Sequence, residues 1–489
     1  WMPEFSAAVN SLRCGTFARR CGTCAAATLY EDAYSCQRRV MFHGVEMPVW
    51  ALVLLVGFAA VTFASHFLFP SVRWFFRRRA EKVVARLNER LQTPIQPFKL
   101  MRRYDMVQRL RYDTEVLRAV AEAAAQEGVP EAVAHEWAER YAREIVPSFS
   151  TFAYFGFAIR LARWINGLFY DVRVGRLDPG LAKVERDAAV VFVMNHRSNM
   201  DYMLVTVLAA DRTALSYAVG EWARVWPLSK LIKALGAYFI RRKSRDALYR
   251  KVLARYVRMA TDAGVTQAVF PEGGLSLDGR VAPPKMGILK YIIEGHDLSL
   301  RDVVFVPVAL NYDRVMEDRV LIAAGQAGER KFRASVWTVF GFVLRMAWQK
   351  LFGRFRRFGR AAVSFGAPVS MRDWPGSVEE LAEGLMARIA DEVPVLPVPL
   401  AAWALSKGPG DLAVLAARAG DQARVLEGLE ALQARELARR EAGIWAVVPG
   451  QEALVAFYAA SVAHLLDGSA PQAALEAVAP DQEAASAEA

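Results

Sequence analysis

The stretch from Ala188 to Val205 reads Ala-Ala-Val-Val-Phe-Val-Met-Asn-His-Arg-Ser-Asn-Met-Asp-Tyr-Met-Leu-Val. Its first part, residues 188–194, is a continuous apolar run that is typical of a buried strand. A polar turn follows, and Asp201 stands where a carboxylate favours the first turn of a helix. Ligands of open α/β sheets bind at the carboxyl ends of strands, so His196 and Asp201 are candidates for a base and its orienting partner. Taken alone, the pair could equally be a turn histidine that bonds a capping aspartate.

Further apolar segments predict the rest of the sheet. They are residues 214–219, 267–270, 303–310 and 360–368. Helical patterns separate these segments, and alternating strands and helices predict an α/β fold with a largely parallel sheet covered by helices. We expect a catalytic domain at residues 151–375, with helical flanking regions at 81–150 and 376–466. The Ala/Glu/Pro-rich tail, 467–489, is predicted to be disordered.

The composition restricts the class of partner. The 489 residues are 54% apolar and carry a formal net charge of +11. Such a charge favours an anionic partner, which could be nucleic acid, anionic lipid or a phosphorylated substrate. The sequence shows no zinc finger, RNA-recognition signature or P-loop, so we expect no nucleic acid.

A membrane segment is predicted near the N-terminus. Residues 47–69 contain no Asp, Glu, Lys or Arg, and a segment of this length can cross the ~30 Å hydrocarbon layer. Five basic residues follow it: Arg73, Arg77, Arg78, Arg79 and Lys82. They predict a single-pass anchor in the cell membrane with the catalytic domain on the cytoplasmic side. Residues 149–164 mix aromatics with arginines and suit either a membrane interface or a core helix.

All four cysteines lie at the start of the chain, at Cys14, Cys21, Cys24 and Cys36. Cys21 and Cys24 have the spacing of zinc ligands, but His43 is the one histidine near them. We therefore interpret residues 1–40 as upstream sequence from a misplaced start, with the natural start at Met41 or Met47. No other metal cluster and no nucleotide loop is seen, so we expect no metal and no cofactor.

Four polar blocks occur in a fixed order along the chain. They are Asn195–Tyr202, Gly236–Arg242, Phe270–Gly274 with Gly279, Arg280, Pro284 and Lys285 after it, and Val306–Tyr312. This order resembles the glycerolipid acyltransferases, a family that includes glycerol-3-phosphate and 1-acylglycerol-3-phosphate acyltransferases. The residues of the first and third blocks are more similar to those of the glycerol-3-phosphate branch. That branch usually carries arginines where this chain has Leu275 and Leu277.

The resemblance implies transfer of a fatty acyl group from a thioester, on CoA or acyl carrier protein, to a hydroxyl in phospholipid synthesis. His196 is the expected general base, and Asp201 is expected to orient its ring and stabilise the imidazolium. The phosphate of the acceptor needs fixed cations, for which the candidates are Arg241, Arg242, Arg280 and Lys285. For Arg241 and Arg242 an ordinary solvated strand end is the alternative.

The remaining block residues receive shaping roles. Glu272, Gly273 and Gly274 are expected to shape the acceptor pocket, since glycine lets backbone approach a ligand closely. Pro307 is expected to set the exit of its strand. Glycerol 3-phosphate is the favoured acceptor and lysophosphatidate is the alternative, because Leu275 and Leu277 could contact an acyl chain. A membrane-bound lipid-binding protein without catalysis is the alternative from another class.

Overall fold

The computed structural model describes residues 39–42, 45–91, 93–210, 213–220, 228–241, 244, 246–328, 348 and 357–467. Nearly all of the predicted upstream segment and of the predicted tail lies outside these ranges. The chain divides into two compact units, residues 1–80 and residues 81–489.

The described part of the first unit begins with a short antiparallel hairpin of strands β1 (Arg39–Phe42) and β2 (Val45–Pro48). The helix that follows extends over Val49–Arg90. The predicted anchor is not supported, since no helix of the described residues is long and apolar enough to cross a membrane. The side chains of residues 65–69, at the end of the predicted anchor, lie outside the described set.

The second unit is built on one eight-stranded sheet. Its strands are β3 (Asp171–Leu177), β4 (Ala189–Met194), β5 (Ser216–Val219), β6 (Tyr238–Phe239), β7 (Gln267–Val269), β8 (Val303–Tyr312), β9 (Arg360–Phe365) and β10 (Val369–Ser370). They lie in the order β3-β9-β8-β4-β7-β5-β6, with β10 also paired to β8. Pairing is parallel except where β8 meets β9 and β10. The predicted α/β fold with a largely parallel sheet is confirmed.

The central strands are apolar throughout because both faces of the sheet are covered. Every residue of β4 and β8 is buried, as expected for parallel strands between helical layers. Pro307 lies inside β8 opposite Val193, so the expectation that it sets the strand's exit is wrong. Its lack of an N–H is accommodated within the ladder, and its carbonyl accepts a bond from Gly366 N at 2.9 Å.

Helices precede, separate and follow the strands along the chain. Before β4 they are Pro97–Leu100, Arg103–Arg111, Thr114–Glu127, Glu131–Ile145 and Ile159–Phe169, with a π-helix at Phe152–Ala158 and a 3₁₀ turn at Pro179–Lys183. Within the domain they are Asp201–Ala209, Leu228–Ala234, Ala247–Asp262, Gly287–Ile293 and Asp318–Gln326. After β10 they are Val378–Asp391, Pro397–Ser406, Leu412–Ala419, Gln422–Gln433, Glu452–Ala460 and Ala463–Leu466.

The helix ends follow from local chemistry. Asp113 accepts a bond from Glu115 N, and Gly128 ends that helix in the left-handed conformation, where glycine has no Cβ penalty. Ser377 and Glu380 form a reciprocal capping box. Residues 376–466, expected to be helical, also contain an antiparallel hairpin of β11 (Ala438–Glu441) and β12 (Ile444–Val447).

The strand order brings the polar blocks to one edge. β4 lies between β8 and β7, so the turn after Met194 is flanked by the ends of both neighbours. The Asn195 side chain joins this turn to β8, because its Nδ2 donates to Leu310 O at 3.0 Å and its Oδ1 accepts from Leu310 N at 2.8 Å. The edge formed by the carboxyl ends of β4, β7 and β8 is where the candidate site lies.

Candidate active site

The structure brings His196 and Asp201 into direct contact. His196 Nδ1 lies 2.9 Å from Asp201 Oδ2, and both side chains are buried. Asp201 is the first residue of the helix Asp201–Ala209, as predicted. Because a carboxylate only accepts hydrogen bonds, Nδ1 carries the proton of this contact, and Nε2 remains as the nitrogen able to accept another.

Asp201 also holds the turn that carries His196. Its Oδ2 accepts from Arg197 N at 2.7 Å and from Ser198 N at 3.0 Å. Its Oδ1 accepts from the Tyr312 hydroxyl at 2.6 Å, and burial raises the pKa of Tyr312 well above its ordinary value. The carboxylate therefore fixes both the imidazole and the backbone around it.

Glu272 positions His196 through the main chain. Its Oε1 accepts from His196 N at 3.0 Å, while His196 O accepts from Ser276 N at 2.8 Å. Burial raises the pKa of Glu272 to about 8, against the lowering effect of the His196 N–H and of Arg197. One oxygen of the predicted pocket residue thus supports the backbone of the predicted base.

Aromatic rings surround the imidazole. The Phe270 ring is 4.2 Å from the His196 ring, centroid to centroid, at an interplanar angle of 30°. Tyr202 meets the imidazole edge-on at 5.6 Å. These contacts limit the access of water, and electrostatic interactions are stronger where water is excluded.

Arg241 does not join this cluster. Its Nε and Nη2 donate to the two oxygens of Glu144 at 2.9 and 2.6 Å, and the guanidinium stacks on Tyr141 and Tyr249 at 5.1 and 5.0 Å. The Glu144 contact raises the pKa of Arg241 further. β6, which precedes Arg241, is three strand positions from β4, or roughly 14 Å at ~4.8 Å per strand. Arg242 lies outside the described residues.

The loop after β7 carries the other predicted residues. Gly273 has φ of +69°, and a Cβ there would lie 2.9 Å from Lys285 Cδ, so the lysine side chain crosses over the glycine. Gly274 follows in the same turn. Arg280 and Lys285 are both exposed. Arg280 N donates to Asp278 Oδ1 at 3.0 Å.

The two leucines of this loop have an apolar role. Leu275 and Leu277 are half-buried and pack against the main hydrophobic core. Leu277 also faces Gly325 of the helix Asp318–Gln326, where an added Cβ would lie 3.3 Å from Leu277 Cβ. The two side chains therefore contribute packing at the site's rim, and neither supplies a cation.

Three residues at the site had no role in the sequence interpretation. Arg197 is buried, donates to Gly279 O and lies 5.2 Å from the Phe457 ring, and burial lowers its pKa. Glu317 accepts from Ser198 Oγ at 2.8 Å and from Asn199 Nδ2 at 2.9 Å. Tyr312 is the third. The contacts of all three residues join segments far apart in sequence, so the available signals were the position of Arg197 in the first block and that of Tyr312 at the end of the fourth.

In the described part of the chain, no three His, Cys, Asp or Glu side chains are grouped so as to hold an ion.

Residues 179–311 match the family model described as Acyltransferase. This region is an acyltransferase domain. The match contains His196, Asp201 and Glu272, together with β4, β7 and almost all of β8.

The chain is also similar to curated proteins. The glycerol-3-phosphate acyltransferase of Shewanella sp. (strain MR-4) is 29% identical over 316 residues, which is 63% of this chain and 37% of the relative. The protein of that name from Pseudomonas fluorescens (strain SBW25) is 28% identical over 301 residues, or 61% of this chain and 35% of the relative. The chain thus spans little more than a third of the length of these relatives.

A solved structure is similar to part of the chain as well. It is the 1-acyl-sn-glycerophosphate acyltransferase PlsC from Thermotoga maritima, with 21% identity and a TM-score of 0.29. The similarity covers 47% of this chain and 76% of that one.

Proposed function

We propose that this chain transfers a fatty acyl group from a thioester donor to the hydroxyl of glycerol 3-phosphate. The contact of His196 with Asp201, inside an acyltransferase domain, is the observation that carries the proposal. The names of the relatives from Shewanella and Pseudomonas support the choice of acceptor.

The chemistry requires one proton to move in each direction. His196 Nε2 takes the proton of the acceptor hydroxyl while the hydroxyl oxygen forms a bond to the thioester carbonyl carbon. The C–S bond then breaks, and the imidazolium returns the proton to the departing thiolate. Asp201 stabilises the imidazolium between these two steps, and Tyr312 and the two loop amides hold Asp201 in place.

The donor and the acceptor each have an alternative. Acyl-CoA and acyl carrier protein both supply a thioester, and either fits the chemistry. Lysophosphatidate is the alternative acceptor, because Leu275 and Leu277 present apolar surface next to the loop that holds His196.

A membrane surface is the proposed location, with the acyltransferase domain on the cytoplasmic side. From the sequence, residues 149–164 suited either a membrane interface or a core helix. Phe152, Phe157 and Trp164 are 83%, 52% and 59% exposed, with Arg160 and Arg163 exposed among them. Aromatic and basic side chains that share one exposed segment suit the boundary of an anionic bilayer. The helix Val49–Arg90 separately exposes large apolar side chains between Trp50 and Phe63.

The deciding experiment is an acyl-transfer assay of the full chain in detergent micelles. Glycerol 3-phosphate and 1-acylglycerol 3-phosphate compete at equal concentration, with acyl-CoA in one arm and acyl carrier protein in the other. We expect glycerol 3-phosphate to be acylated without any substitution. Acylation of the lysolipid alone, with glycerol 3-phosphate accepted after Leu275→Arg, would establish the alternative acceptor. Binding of lipid without transfer from either donor would instead support the lipid-binding alternative.

A further inference from the structure

A cavity of about 340 Å³ opens beside the candidate active site, between the end of β8 and the helical region that follows β10. Its walls include Arg314, Glu317, Asp318, Arg319 and Arg435. Three of these residues are arginines and two are acids. The volume lies in the range of small-molecule sites.

Both acids of the cavity are already occupied by donors. Glu317 accepts from Ser198 and Asn199. Asp318 Oδ1 accepts from Arg319 N at 2.7 Å, and its Oδ2 accepts from Tyr458 Oη at 2.6 Å and from Arg435. Four carboxylate oxygens therefore have partners, which reduces their repulsion of an incoming anion.

Two of the three arginines, Arg314 and Arg319, have no bonded acid among the described residues. Arg314 rests on the Phe358 ring at 4.1 Å, and no acceptor among the described residues bonds its guanidinium. Burial lowers the pKa of Arg314, and the neighbouring charge of Arg435 lowers it further. Arg319 is exposed at the rim, and its guanidinium has no bonded partner among the described residues. Two guanidinium groups that line one cavity, one of them half-buried with no carboxylate bonded to it among the described residues, favour a bound anion.

One residue of the cavity wall contacts the turn that carries His196. Glu317 forms part of the cavity wall and holds Ser198 and Asn199, which follow His196 within three residues. Arg314 comes two residues after Tyr312, whose hydroxyl bonds Asp201. An anion in the cavity would therefore lie next to the segment that presents the base.

We propose that Arg314 and Arg319, supported by Arg435, form a binding site for a phosphomonoester. The proposal rests on the proposed function for the origin of that group, which is either the phosphate of the acceptor or the 3′-phosphate of a CoA donor. Arg is suited to the task because its planar fork donates two parallel hydrogen bonds to phosphate oxygens. Arg241, by contrast, has its fork filled by Glu144.

The test is calorimetric binding to the full chain in detergent micelles without turnover. The probes are glycerol 3-phosphate, CoA and dephospho-CoA, which lacks the 3′-phosphate. The variants are Arg314→Gln, Arg314→Lys and Arg319→Gln. Arg186→Gln is the matched control, since Arg186 is exposed on the loop before β4 and hence at the opposite edge of the sheet.

We expect Arg314→Gln to weaken the binding of at least one phosphorylated probe by about ten-fold or more. The loss of affinity should be smaller for Arg314→Lys and Arg319→Gln, and the control should show none. A loss confined to glycerol 3-phosphate assigns the site to the acceptor. A loss for CoA that is absent for dephospho-CoA assigns it to the donor.

Wild-type affinity for every probe in Arg314→Gln and Arg319→Gln would overturn the proposal, as would the absence of binding by the unmodified chain. Thermal unfolding of each variant is measured alongside. If Arg314→Gln does not fold, Arg319→Gln decides, because that exposed side chain has no packing to lose. Binding that depends on these arginines in a chain without acyl transfer would leave this site standing and remove the proposed function.

Discussion

The Tyr312 hydroxyl donates a hydrogen bond to Asp201 Oδ1 at 2.6 Å, and this bond ties the last residue of β8 to the first residue of the helix after the turn that carries His196. Both side chains are fully buried. Together with the Arg197 and Ser198 amides, this hydroxyl sets the direction in which the Asp201 carboxylate faces, and through it the orientation of the His196 ring.

Tyr312→Phe should lower kcat with little change in KM. The variant keeps the ring and its packing but removes a hydrogen bond to a charged group, which is worth about 1.5–3 kcal/mol. We expect kcat to fall roughly 10- to 100-fold at 1.4 kcal/mol per factor of ten. Steady-state kinetics with both substrates varied measures the split. A rise in KM with kcat preserved would show that Tyr312 does not act through Asp201.

His196→Ala and Asp201→Ala should each remove most acyl transfer while the protein still folds. A general base of this kind contributes ~10²–10⁴ in rate. The matched control is His464→Ala, since the exposed His464 bonds only Ala390 O among the described contacts. Turnover of the His196 variant at the level of the control would rule out the proposed mechanism.

Stability should depend on pH through Glu272. Its ordinary pKa is 4.5, and burial raises it to about 8 in the folded chain. Between these values the folded state binds more protons than the unfolded state, so the free energy of unfolding falls as pH rises, by up to about 1.4 kcal/mol per unit. Glu272→Gln retains an acceptor for the His196 N–H and should remove this dependence.

Chemical denaturation between pH 6 and pH 8.5 measures the effect of Glu272→Gln. Asp313, whose pKa burial raises to about 6, contributes mainly below this window. The exposed Glu379→Gln serves as the control. Parallel pH profiles for the wild type and the Glu272 variant would mean that Glu272 is already ionised in the folded protein.

Gly279→Ala should destabilise the protein and reduce activity together. Gly279 has φ of +89°, and a Cβ there would overlap the carbonyl oxygen of Phe457 in the helix Glu452–Ala460. The conformation alone costs about 1–2 kcal/mol for a residue with a side chain, and the overlap adds to it. The same substitution at Gly287, where nothing lies within 4 Å, should be nearly neutral in thermal unfolding. Equal melting temperatures for the two variants would contradict the close packing of this helix on the loop.

Membrane attachment should depend on the exposed aromatics of the segment 152–164. Serine at Phe152, Phe157 and Trp164 should weaken co-sedimentation with vesicles that contain phosphatidylglycerol, and added salt should weaken it further. Leu300→Ser is the control, because Leu300 is 80% exposed and lies in another part of the unit. Deletion of residues 47–69 tests the predicted anchor separately, and undiminished attachment of that deletion would disprove it.

The sequence by itself determined the elements whose signals are local. The apolar run before His196 predicted a buried strand, and the five-residue separation of His196 and Asp201 is short enough for one turn to bring them together. The order of strands and helices predicted the largely parallel sheet. A short strand such as β6, with two residues, and the hairpin of β11 and β12 carry too little periodic signal to be predicted.

Only the tertiary structure decided which distant side chains support the site. Glu272 meets the His196 backbone across 76 residues, and Tyr312 meets Asp201 across 111. Glu144 fills the fork of Arg241 across 97 residues, while no carboxylate among the described residues bonds Arg314, which lies beside Arg435. Periodicity reports only the face that a residue presents within its own element. Pairing between elements depends on strand order and packing, and these set both the partners and the burial that shifts the pKa of each group.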